Sequence, residues 1–133
     1  MGVAEHIREI KQGLPEGVTL VAVSKFHPAE MIAEAYAAGQ TCFGESRVQE
    51  LAQKVPALPA EIRWHFIGHL QTNKVRQLLR LRPAMIESID TERLLRAVDA
   101  EAERQGLTAR VLMQLHVAAE ETKFGFSPDE LMV

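Results

Sequence analysis

A chain of 133 residues with 47% hydrophobic and 25% charged side chains has the size and balance of one globular domain, long enough to bury a core. Its net charge of -3 supplies no basic footprint for nucleic acid or an anionic membrane, and a single cysteine, Cys42, excludes an internal disulfide and a multi-thiolate zinc site. No apolar run approaches the roughly 20 residues that cross a bilayer, and "MGVAEHIREIKQGL" lacks a secretory apolar core, so the cytoplasm is the expected compartment.

In chain order, residues 4–12 carry Ile7 and Ile10 at helical spacing, and Gly13, Pro15 and Gly17 break the pattern. Residues 18–23 form an apolar run without alternation, the pattern of a parallel strand covered on both faces. After Pro28 the stripe of Met31, Ile32, Ala35 and Tyr36 predicts a helix closed by Gly39. The unit then recurs. "TCFGE" reads as strand, residues 46–54 as helix, "RWHFIG" as strand and residues 71–81 as helix. "AMIESI" follows as strand, residues 91–105 as a long helix capped by Gly106, and "ARVLMQLHV" as a fifth strand. In "SPDELMV", Ser127 and Pro128 open a last helix as N-cap and first helical residue.

Strands alternating with helices through short connections predict an α/β class, with a parallel sheet and right-handed crossovers in one domain spanning residues 1–133. Two closures fit the periodicity. One is an open doubly wound sheet; the other is about five units of a TIM-type (β/α)8 barrel. A chain that stops one turn into a helix favours the incomplete barrel.

Either closure gathers ligands at the C-terminal ends of the strands. There the sequence places Ser24 and Lys25; Gly44, Glu45 and Ser46; His65, Gly68 and His69; Ser88 and Asp90; and His116. Lys25 is the sharpest candidate, because a lysine ending a buried strand is partly desolvated, which favours the neutral amine that attacks carbonyl carbon. The competing reading is an ammonium that snorkels to solvent. His65, His69 and His116 invite a metal reading, but no acidic residue stands at ligand spacing, and hydrogen-bonded histidines are the simpler account. Gly68 permits close backbone approach and precedes a helix start that could receive an anion. Ser46 could cap the helix after it. Cys42, inside a strand, reads as a small buried hydrophobe.

Together "VAVSKFHP", "FGESRVQE", "WHFIGHLQTNK", "ESID" and "ETKFGF" resemble the landmarks of the pyridoxal phosphate homeostasis protein family, in that family's order, over about residues 18–131. The resemblance implies the alanine racemase N-terminal type of barrel. It implies pyridoxal 5′-phosphate held as a Schiff base on Lys25, with Ser46, His65, Ser88 and His116 lining the pocket. It also implies a role in vitamin B6 and amino-acid homeostasis without turnover. An amino-acid racemase or lyase using the same cofactor is the alternative, and an inert self-associating fragment a further one. Ser46 and His116 stand where the family usually has asparagine. The family's later phosphate-binding stretches have no counterpart in the sequence, so the chain is expected to be part of a longer protein. Unpaired first and fifth strands would then invite self-association.

Overall fold

The computed structural model describes residues 2–115, 125–127 and 129. Five parallel strands, β1 (Ala22–Val23), β2 (Cys42–Glu45), β3 (Arg63–Phe66), β4 (Met85–Ile89) and β5 (Val111–Met113), hydrogen-bond in chain order. Register runs in an unbroken row, Val23 beside Gly44, Gly44 beside His65, and His65 beside Met85. Helices α1 (Val3–Gln12), α2 (Ala29–Ala37), α3 (Val48–Lys54), α4 (Val75–Arg80) and α5 (Glu92–Gln105) fill the connections.

That strand order separates the two closures. A doubly wound sheet reverses its order and so places helices on both faces. Here no reversal occurs, so every right-handed crossover steps the same way and the helices share one face, as in a (β/α)8 barrel. α1 packs on α2, α3 on α4, and α4 on α5. Between strands and helices lies the core, where Phe43, Trp64, Phe66 and Ile86 meet Ile32, Leu51, Leu78, Leu94 and Val98. Each such buried side chain contributes roughly 1.5–3 kcal/mol.

The opposite, concave face is bare at its margins. Val23 of β1 is 52% exposed and Leu112 of β5 is 50% exposed, against the expectation of strands covered on both sides. In a closed barrel the interior is filled by side chains from facing strands; five strands do not face one another.

The first strand is also shorter than its apolar run. Only Ala22 and Val23 join the ladder, while Leu20 is held by the buried Gln40 side chain, whose Nε2 donates to the carbonyls of Leu20 and Cys42, each at 2.7 Å. The Gly106 cap expected at α5 is present in the structure, and Thr91 caps the other end. Thr91 Oγ1 accepts from the Leu94 amide at 3.0 Å, and Gly106 ends the helix at φ 69°. The predicted helix at residues 71–81 divides into a 3-10 turn, Thr72–Lys74, and α4. Apart from Ser127 and Asp129, the predicted last helix lies outside the described residues.

Candidate functional site

Lys25 sits two residues past the end of β1, in a turn, and is exposed. Burial by the strand therefore does not desolvate it. What distinguishes it is the backbone that carries it. Ser24 donates its amide to Gly44 O at 2.9 Å and receives the His27 amide on its own carbonyl at 3.1 Å, closing a β-turn around Lys25 and Phe26. Phe26 takes φ 66°, a left-handed conformation that glycine usually supplies at the third position of such turns. For phenylalanine this costs roughly 1–2 kcal/mol. Two contacts offset it: Glu50 Oε2 accepts the Phe26 amide at 2.6 Å, and the Arg47 guanidinium lies 5.1 Å over the Phe26 ring.

Beneath the turn lies a buried charged cluster. Lys54 Nζ donates to Ser24 O at 2.9 Å, to Glu45 Oε2 at 2.8 Å and to Glu50 Oε2 at 2.7 Å, using all three ammonium protons. Ser24 Oγ lies 2.5 Å from the same Glu45 oxygen. Glu45 is 0% exposed, and its Oε1 has no partner among the described residues. Burial, the largest influence on Glu50, raises its pKa, but the Lys54 and Phe26 hydrogen bonds and the Lys54 and Arg47 charges outweigh it and hold the carboxyl below its ordinary value.

The remaining strand ends are stitched in sequence. A Cβ on Gly68 would fall 2.1 Å from Ser46 O, so the loop after β3 lies on the Ser46 backbone and only glycine fits there. Ser88 Oγ donates to Gly68 O, tying β4 to the same loop. His69 Nδ1 and Asp90 Oδ2 are 3.1 Å apart. Gly68 thus serves backbone contact, as expected. It does not open an anion-binding helix, since the next elements are a 3-10 turn and a six-residue α4. Nor does Ser46 cap α3; Arg47 is the N-cap residue, without a side-chain cap bond.

His65 occupies a different place from the strand ends. It lies inside β3 and turns into the concave face, where its Nδ1 is 2.9 Å from Glu87 Oε1. The hollow there, about 510 Å³, is lined by Thr19, Cys42, Arg63 and Arg110, residues at or before strand starts. Lys25, Ser46 and Ser88 therefore belong to the C-terminal ends, and His65 to the sheet's interior. The two imidazoles His65 and His69 pair with separate carboxylates and do not converge. His116 lies outside the described residues. Tyr36 packs from α2 against the helix-side core.

Residues 2–133 match the family described as alanine racemase, N-terminal domain. The chain belongs to that family. It is 43% identical over 116 residues to the pyridoxal phosphate homeostasis protein of Schizosaccharomyces pombe, a match covering 86% of this chain and 49% of that one. Two solved structures of PipY from Synechococcus elongatus, 38% identical, superpose over 97% of this chain and 60% of theirs, with TM-scores of 0.92 without PLP and 0.89 with PLP bound. The chain thus spans about half the length of the curated relative. Fold and family agree with the resemblance read from the motifs; the incomplete barrel is the fold observed.

Sequence reasoning missed the Glu45–Lys54–Glu50 cluster. One half was visible, since Glu50 and Lys54 stand four apart on one helix. The other half depends on α3 folding back over the end of β2, which no spacing reveals.

Proposed function

We propose that this chain is a pyridoxal 5′-phosphate-binding domain of homeostasis type, with Lys25 as the attachment point. The observation that carries this reading is the Lys25 amine: among the described residues no side chain pairs with it, and the turn beneath it is pinned on both sides. Lys54 is committed to three acceptors and Lys11 to the Gly39 carbonyl. Support also comes from PipY, whose structure contains PLP. The donor set fits the aldehyde end of the group: a solvent-facing amine at a barrel strand's C-terminal end, with Ser46 and Ser88 at the ends of other strands of the same sheet.

When bound, the cofactor would supply an electrophilic aldehyde carbon, which the Lys25 amine would hold by condensation, giving up both its protons with the aldehyde oxygen as water. Lys25 supplies the nitrogen, and Ser46 and Ser88, through the Gly68 loop, shape the neighbouring wall. His65 and His116 complete the proposed lining set, His65 from the concave side. The reading extends to a single domain, a cytoplasmic location, self-association through the open edges, and no turnover of its own. Tyr36, the sole tyrosine, is spent on core packing, and the non-enzyme reading would be overturned by exchange of an amino acid's α-hydrogen. The direct test is absorbance: protein with added pyridoxal phosphate is expected to absorb at about 420 nm, and Lys25→Ala to remove the band. A band that survives the substitution would sink the assignment.

A further inference from the structure

Of the groups at the strand ends, the Glu45–Lys54–Glu50 cluster has no part in the chemistry just described, yet it holds Glu45, the most deeply buried charged residue among the described residues. Lys54 and Glu45 are 7% and 0% exposed. Burying an ion pair is a weak means of gaining stability, because desolvation consumes most of the attraction. A structural role alone would be met as well by apolar side chains of similar volume. The cluster instead contacts two specific backbone atoms, Ser24 O and Phe26 N, which flank Lys25 in the chain. We propose that Glu45, Lys54 and Glu50 are positioning residues that fix the turn carrying the Lys25 amine, and so set that amine's reactivity toward an aldehyde. The proposal rests on the assignment of Lys25 as the attachment point.

The reasoning is geometric. A flexible four-carbon side chain already explores many orientations; if its Cα also moves, the amine is spread over a still larger volume. Pinning the peptide before Lys25 and the peptide after it leaves only the side-chain torsions free. Phe26 shows that the turn is held rather than relaxed, since its left-handed φ of 66° is sustained by the hydrogen bond to Glu50. Glu45 links β2 to this device, through Ser24 Oγ and Lys54 together. The turn is thereby referred to the sheet and not only to α3.

The test uses the purified chain, pyridoxal phosphate and sodium borohydride, with peptide mass spectrometry reporting attachment at Lys25 relative to Lys74 in the same sample. Amide hydrogen exchange at Phe26 is measured on the protein without cofactor. Lys54→Met strands a buried carboxylate and risks unfolding, so the deciding variants are at Glu50, whose side chain is 19% exposed. Glu50→Ala is expected to lower the Lys25 to Lys74 ratio about tenfold, a displacement effect of ordinary size, and to speed Phe26 exchange. Glu50→Gln keeps an acceptor for the Phe26 amide and is expected to retain most of the ratio. A wild-type preference for Lys25 that survives Glu50→Ala would overturn this proposal alone. Equal labelling of Lys25 and Lys74 in the wild type would overturn the attachment reading and this proposal with it. A parallel rise at every lysine would mark a merely structural role and would also overturn the proposal.

Discussion

Gly68 and Ser46 touch so closely that one methyl group decides the loop after β3. With a Cβ 2.1 Å from the Ser46 carbonyl oxygen, backbone must shift, and Gly68→Ala is expected to destabilise the fold by about 3 kcal/mol, measured by urea unfolding. From "WHFIGHLQTNK" the close approach was legible; the atom approached was not, because Ser46 stands 22 residues earlier, on the neighbouring strand's end. Glu50 gives a pH signature of its own. Its folded pKa lies below the ordinary 4.5, so the unfolded chain binds the proton more readily there. The carboxylate's contribution is therefore present above that value and is lost as pH falls through it. Between about pH 5 and about pH 3 the wild type is expected to lose more stability than Glu50→Gln. Equal losses would show that Lys54, Arg47 and the Phe26 amide do not hold the charge.

At the scale of elements, α5 and the β1–α2 turn form a contrast. α5 is specified locally: Thr91 and Gly106 mark its ends, and Thr91→Ala is expected to cost about 1 kcal/mol in thermal or denaturant unfolding. The turn at Lys25 is specified from a distance. Its sequence, Ser-Lys-Phe-His, contains no glycine to favour a left-handed residue, and the conformation comes from Glu50 and Lys54 on a helix two elements away. Lys54→Met is expected to cost about 3–5 kcal/mol, since it leaves Glu45 buried without its cation. An unfolding free energy within 1 kcal/mol of wild type, as a rough bound, would mean that water or rearrangement replaces the ammonium. β1 is likewise settled remotely, since Gln40 holds the Leu20 carbonyl where the strand ladder would otherwise continue.

For the molecule as a whole, the exposed margins of the sheet dominate. β1 and β5 are its outer strands, and Val23, Leu112 and Met113 are exposed hydrophobics on them. At β5 the Phe126 amide donates to Gln114 O at 2.6 Å, covering part of that edge. Unpaired strand edges with apolar side chains template association. Light scattering is expected to show a mass that rises with protein concentration, and Leu112→Lys to reduce it; a monomer at every concentration would contradict self-association. The alternation of strands and helices, the caps of α5 and the glycine at Gly68 were determined by the sequence itself, because each arises from spacing or backbone chemistry within a few residues. Tertiary structure alone decided that His65 faces Glu87 in the concave hollow and that the Lys25 turn stands on a buried ion cluster, and it separated the two closures that local periodicity left open. Those outcomes depend on groups brought together by neighbouring strands, and strand order is a long-range property that local periodicity does not encode.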